Sequence, residues 1–165
     1  SGRLPLDQRA VRSGLLSARL AGRFEVRPGQ PTLVLDVAHN PHAAAVLNDL
    51  LGDFFTRGHV IAVCGMLADK DAAGVAVALT GRFDAWHLVD LSGQPRGMSA
   101  RQLADRVVPQ LGEIPVHQGA GVGETLTDII AASGPEDLVV VFGSFLTVAA
   151  AMEWLENDDV RPNKV

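Results

Sequence analysis

The sequence predicts an α/β domain built on a mostly parallel sheet, and three observations carry that prediction. Short apolar runs rich in Val, Leu and Ile recur at residues 32–35, 59–64, 85–90, 114–117 and 138–142. Segments of helical pattern separate them, at 43–51, 69–80, 100–108, 125–132 and 147–155. The runs lack the polar alternation of a half-exposed strand, as expected for strands covered on both faces by right-handed crossover helices. The expected architecture is three-layered and Rossmann-like, with one antiparallel edge strand.

Taken in order, residues 6–20 read as a helix, with Pro5 near the first turn and Arg9, Arg12 and Arg19 on a solvated side. This segment resembles a connector more than core. Arg23-Phe24-Glu25-Val26 alternates and Arg27-Pro28-Gly29-Gln30 is a turn, so a short strand forms a hairpin with the run ending at Asp36. That hairpin supplies the antiparallel edge. The remaining runs and helices alternate to residue 156, and residues 157–165 form a polar tail containing one proline. The division is therefore a connector over 1–20, one domain over 21–156 and a tail over 157–165.

With 165 residues, 47% hydrophobic and 20% charged, the chain matches an ordinary globular domain with one core. A net charge of -5 and the lack of a dense Lys/Arg cluster argue against nucleic-acid and membrane partners. The lone cysteine, Cys64, lies in the apolar run Val60-Ile61-Ala62-Val63-Cys64 and reads as a packed thiol. No signal-peptide pattern opens the chain and no apolar stretch has the length of a spanning helix, so the expected location is the cytoplasm.

The densest chemistry is in Asp36-Val37-Ala38-His39-Asn40-Pro41-His42-Ala43, where an acid, an imidazole and an amide follow a buried strand and precede a helix. In open α/β sheets ligands gather at such turns, beyond the carboxyl ends of the strands. Asp36 and Asn40 also suit plain turn and capping duties, and Asp36, His39 and His42 are of metal-ligand type. Gly65-Met66-Leu67-Ala68-Asp69-Lys70-Asp71 leaves the next strand at the same end of the sheet, with Asp69 a candidate cap. Phe142-Gly143-Ser144-Phe145-Leu146-Thr147 closes the last strand; Gly143 permits close approach of a ligand, and Ser144 suits capping or a carboxylate. Phe142 stands where a G-x-S-x-G elbow needs glycine, which excludes that hydrolase motif. Gly119-Ala120-Gly121-Val122-Gly123-Glu124 raises a dinucleotide fingerprint whose sixth position is not glycine, and no G-x-x-x-x-G-K-[ST] loop occurs.

Together, Gly22-Arg23-Phe24, the 36–43 motif, the 65–71 motif and Gly143-Ser144-Phe145-x-Thr147-Val148 resemble the C-terminal domain of the dihydrofolate synthase/folylpolyglutamate synthase family. The likeness covers about residues 15–155. The Asp-x-Ala-His-Asn-Pro stretch alone would indicate the wider Mur ligase superfamily; Arg23, thirteen residues before Asp36, and the Gly143-Ser144-Phe145 loop favour the folate branch. The resemblance implies an ATP-dependent ligase. In it, ATP and Mg2+ convert a carboxylate of dihydropteroate or a folate to an acyl phosphate, which the amine of L-glutamate attacks. It further implies that Arg23 contacts the ATP phosphates and steadies the transferred charge, and that Asp36 and Asn40 serve the nucleotide side. His39 and Ser144 would place glutamate or the acyl phosphate. The P-loop, the metal ligands and the pteridine pocket belong to the family's N-terminal domain, so residues 1–20 would link to that domain and this chain would not turn over alone. The family loop commonly reads Gly-Ser-Phe-His-Thr-Val, and Leu146 here replaces its imidazole. Competing readings are a stand-alone binding module that kept the fold, a nicotinamide-dependent enzyme and the C-terminal domain of a cell-wall amino-acid ligase.

Overall fold

A computed structural model describes residues 22–54 and 56–157. The expected connector helix over 6–20 and nearly all of the expected tail lie outside those residues. The described chain forms strands β1 (Glu25–Arg27), β2 (Thr32–Asp36), β3 (Val60–Cys64), β4 (Ala85–Leu88), β5 (Val116–Gln118) and β6 (Leu138–Phe142). Helices α1 (Pro41–Gly52), α2 (Ala72–Ala78), α3 (Ala100–Leu111), α4 (Val122–Ala132) and α5 (Phe145–Glu156) separate or follow them. The sheet order is β1-β2-β6-β3-β4-β5. β1 pairs antiparallel with β2 through Val26↔Val34, and every other pairing is parallel. The α/β class, the parallel sheet and the antiparallel edge hairpin are all as expected from sequence.

β6 is the axis of the core. All five of its residues are buried, because it pairs with β2 on one side and β3 on the other and is covered on both faces. Its side chains divide by parity. Leu138, Val140 and Phe142 join the layer containing α1, α2 and α3, whereas Val139 and Val141 pack in the layer containing α4 and α5. Phe142 stacks on Phe83 at a centroid distance of 5.7 Å and meets Trp86 edge-on at 5.5 Å, filling the first layer with rigid rings. On the second face, Val122, Leu126, Ile129 and Ile130 of α4 recur at helical spacing and bury against the sheet.

Local differences from the sequence reading have physical causes. α3 opens on a capping box between Ser99 and Gln102 and runs to Leu111, past Pro109, where the expected helix ended at 108. A proline in the last turn forfeits one intrahelical bond, and burial of Leu111 outweighs it. α2 begins at Ala72, so its cap is Asp71, whose Oδ1 accepts from Gly74 N–H at 2.9 Å. The expected capping role of Asp69 is thereby corrected, because residue 69 lies in the turn before the helix. β4 ends at Leu88 and leaves Asp90 in the following loop. Cys64 is fully buried, and burial pushes its thiol pKa up, in keeping with a packed thiol.

Candidate functional site

The route of the chain through the sheet sets where a ligand can sit. The connections that leave β2 and β3 run to α1 and α2 on one face, whereas the connection that leaves β6, between them, runs to α5 on the other. Two neighbouring connections that depart to opposite faces leave a crevice at the carboxyl end of the strands. The 36–43, 65–71 and 143–147 segments border this crevice.

At the exit of β2, Asp36 is half-buried and both its oxygens are engaged. Oδ1 accepts from Ala38 N–H at 2.8 Å, and Oδ2 accepts from Phe24 N–H at 3.1 Å, tying the start of the edge hairpin to the motif. Burial raises its pKa, while those two N–H groups and the Arg23 guanidinium act in the opposite direction. Phe24 holds a left-handed φ of 49°, which places its N–H on Asp36 and leaves the adjacent Arg23 exposed. Arg23 is therefore an exposed cation within electrostatic reach of a partly desolvated carboxylate. His39 donates from Nδ1 to Val37 O at 2.9 Å, since a carbonyl can only accept. In the neutral ring Nε2 is then free to accept a proton or a hydrogen bond. Asn40 is exposed and caps α1, its Oδ1 accepting from Ala43 N–H at 2.8 Å, with Pro41 in the first turn.

At the exit of β6 the packing is tighter. Gly143 has φ 117°, and a Cβ there would collide with the carbonyl oxygen of Gly65. Only glycine lets the two loops touch. Ser144 caps α5, and its buried Oγ accepts from Thr147 N–H at 3.1 Å. Thr147 Oγ1 donates to Gly65 O at 2.9 Å, so the 2.8 Å contact between the two hydroxyls has Ser144 as donor. The Ser144 proton is committed, and its remaining lone pair is what it can offer to a ligand.

The 65–71 loop brings two cations to the same crevice. Asp69 Oδ2 accepts from Arg96 at 3.0 Å and lies 4.0 Å from Lys70 Nζ. Arg96 has a left-handed φ of 62°, and its carbonyl accepts from Ala68 N–H at 2.6 Å. Arg106 on α3 braces the loop through the carbonyls of Ala68 at 2.9 Å and Lys70 at 3.3 Å. His39, Lys70, Arg96, Gly143 and Ser144 thus border one cavity of about 240 Å³, with Leu67, Phe145 and Leu146 as its apolar wall.

Of the residues singled out from sequence, His39 and Ser144 share this cavity, Asp36 ends β2 with Arg23 within electrostatic reach and neither lines the cavity, and Asn40 stands on the cap of α1. Arg96 escaped sequence reasoning because it lies in the 90–97 loop, far along the chain; its one local signal is an Arg-Gly step in a turn-rich segment. Thr147 was visible only as part of a motif, and its bridge to Gly65 needs the fold. The glycine-rich 119–123 segment follows the outermost strand, β5, and is removed from the β6 crevice. Asp36, His39 and His42 lie at the exit of one strand but are not gathered into a three-residue metal group. Among the described residues no group of three or more His, Cys, Asp or Glu is placed to hold an ion. The exposed Arg23 and the two cations of the cavity suit anionic oxygens.

A doubly wound sheet with a cation-lined cavity at its switch point defines an α/β domain whose crevice presents positive charge at the carboxyl ends of its strands. Residues 22–145 match the family model described as Mur ligase, glutamate ligase domain, and the chain belongs to that family. It is 39% identical over 158 residues to the dihydrofolate synthase/folylpolyglutamate synthase of Escherichia coli K12, covering 93% of this chain and 35% of that protein. The solved E. coli FolC in complex with DHPP and ADP superposes with a TM-score of 0.75 at 38% identity, covering 90% of this chain and 34% of that one. A bifunctional folylpolyglutamate synthase/dihydrofolate synthase with Mn, AMPPNP and L-glutamate bound gives a TM-score of 0.73 at 44% identity, over 89% and 34% of the two chains. The chain thus spans about a third of the length of the relatives it matches. Among the described residues no helix is long and apolar enough to cross a membrane.

Proposed function

We propose that this chain is the C-terminal domain of an ATP-dependent ligase that joins L-glutamate to dihydropteroate or a folate through an acyl phosphate, turning over only with a P-loop domain of the same enzyme. The observation that carries this reading is the 240 Å³ cavity, which sets two cations, a hydroxyl lone pair and an imidazole nitrogen around a space suited to a small dicarboxylic amino acid. A relative of the same fold has L-glutamate, AMPPNP and Mn bound, which supports glutamate as the occupant and a nucleotide with a divalent ion as its companions. ATP and Mg2+ supply the phosphoryl group and its charge neutralisation when bound.

Within this frame Lys70 and Arg96 take the carboxylates of glutamate, and Arg96 is already oriented by Asp69. Ser144 Oγ accepts from the amine, because its own proton is spent on Thr147. His39 Nε2 faces the amine as a second acceptor, and Asn40 fixes the turn that aims it. Arg23 reaches anionic oxygens at the nucleotide, and Asp36 positions Arg23 while offering its remaining lone pairs to the nucleotide side. The exposed Phe145 and Leu146 form an apolar rim for the folate side of the cleft.

Two measurements test the reading. Titration of this chain with L-glutamate, followed by NMR, should move the amides of residues 65–71 and 143–147; shifts confined elsewhere would remove glutamate from the cavity. In the enzyme that carries this domain with its P-loop domain, Arg23→Ala should lower kcat for glutamate incorporation by about 100-fold with a smaller change in KM. A change confined to KM would mean that Arg23 binds ground states only.

A further inference from the structure

The loop that carries Lys70 into the crevice is held by a side chain that does not itself line the cavity. After β3 the chain pairs briefly with the loop that leaves β4. Met98 N–H donates to Met66 O at 3.1 Å, Ala68 N–H donates to Arg96 O at 2.6 Å, and Leu67 and Gly97 form an antiparallel bridge between those two bonds. This pairing ends at Ala68. Lys70 lies two residues further on, where its own N–H donates to Leu67 O at 3.2 Å and closes a local turn. A local turn fixes its own shape but not its place in the crevice.

Arg106 supplies the long-range anchor. One guanidinium nitrogen, Nη1, donates to Ala68 O at 2.9 Å and to Lys70 O at 3.3 Å, bridging the carbonyls on either side of Asp69. The guanidinium is always ionised, so these bonds are charge-assisted. Arg106 stands in α3, whose cap, Ser99, follows Arg96 by three residues. The helix that carries Arg106 thus continues the loop that carries Arg96, and its hold on Lys70 O sets the spacing between the two cations of the cavity. Asp69 does not do this alone, since its Oδ2 is 3.0 Å from Arg96 but 4.0 Å from Lys70 Nζ, beyond hydrogen-bond reach. Arg106 is exposed and outside the cavity lining, so its short-range effect on a ligand passes through the loop.

We propose that Arg106 is a positioning residue for glutamate, fixing the backbone of residues 68–70 so that Lys70 and Arg96 present one preset pair of donors to the carboxylates of the amino acid. The proposal rests on the glutamate reading of the cavity. Because the same carboxylates are held before and during the reaction, loss of Arg106 weakens ground state and transition state alike, and the effect falls on KM and not on kcat.

Arg106→Gln and Arg106→Lys test the proposal in two settings. In this chain, amide hydrogen exchange read by NMR should quicken about fivefold at Lys70 and Ala72 in Arg106→Gln and stay unchanged at Thr147. In the enzyme that carries this domain with its P-loop domain, Arg106→Gln should raise KM for glutamate about fivefold, with kcat and the KM for ATP within about twofold. Arg106→Lys should recover most of both losses, because an ammonium can take the place of Nη1 as donor to the two carbonyls. Unchanged exchange at Lys70 and Ala72, a loss confined to kcat, or faster exchange with an unchanged KM for glutamate overturns the proposal. Failure of the glutamate reading itself has a different signature: the unsubstituted chain titrated with L-glutamate shows no shifts at residues 65–71 and 143–147, while the exchange difference in Arg106→Gln persists. That result keeps the brace and removes its role toward glutamate.

Discussion

Two strand-to-helix turns of this domain look alike in sequence and behave differently in the structure. The turn after β6 holds one glycine and two hydroxyls, and the turn after β5 holds three glycines and one hydroxyl. At the first, Gly143 adopts φ 117° against the backbone of Gly65, and Ser144 and Thr147 have committed their protons. At the second, Gly121 caps α4 with φ -74° and open space where a Cβ would be, and the buried Thr125 Oγ1 has no hydrogen-bond partner. Glycine number does not mark the site. What distinguishes it is position: both strands beside β6, β2 and β3, send their connections to the opposite face, whereas β5 lies at the edge of the sheet and has one such neighbour, β4.

The contrast can be broken by matched substitutions. Gly143→Ala forces a Cβ into the Gly65 carbonyl in a conformation that L residues avoid, and should destabilise by about 3 kcal/mol or more. Gly121→Ala should cost under about 1 kcal/mol, since only its weak capping preference is lost. Urea denaturation compares the two, and similar losses would mean that the touch between the 65 and 143 loops carries no special load. A smaller effect is expected at the threonines. Thr147→Val removes the link between Gly65 O and Ser144 and leaves both with a missing partner, costing roughly 1–3 kcal/mol. Thr125→Val replaces an unpartnered buried hydroxyl by a methyl and should be neutral or stabilising. A loss at Thr125 as large as at Thr147 would show that Thr125 Oγ1 is satisfied after all.

The same pair of turns shows how far the sequence could be read. The apolar runs that became β2, β3 and β6 were visible because each is buried on both faces, so composition alone marks them. The ends of β4, β5 and α2 were less visible, because the loops around Asp69 and Asp90 are as polar and helix-compatible as the elements beside them. At the site, Asp36, His39 and Ser144 were legible as chemistry following strands. Arg96 was not, since its place depends on a backbone bridge between Leu67 and Gly97 across some thirty residues.

Charge gives the finest test of the comparison, because each turn has an aspartate near it and the two are shifted in opposite directions. Asp36, half-buried at the crevice, has its pKa raised by burial against the pull of its two N–H donors and Arg23. Asp90, exposed in the loop bonded to Ala120, has its pKa lowered by the side chain and N–H of Ser92. For Asp36 the folded state holds its proton more tightly than the unfolded chain, so stability present below the unfolded pKa, near 3.8, falls as pH rises through the raised folded value. For Asp90 the sign reverses: its contribution is present above the unfolded pKa and is lost as pH falls through the depressed folded one. Unfolding free energies measured from acid to neutral pH should therefore drift toward Asp36→Asn and away from Asp90→Asn, relative to the unsubstituted chain, as pH rises. The Asp90 drift is the smaller, being screened by solvent. Drifts of the same sign would mean that the N–H donors and Arg23 outweigh burial at Asp36, and the carboxylate of the crevice would then be a stabilised anion resembling Asp90.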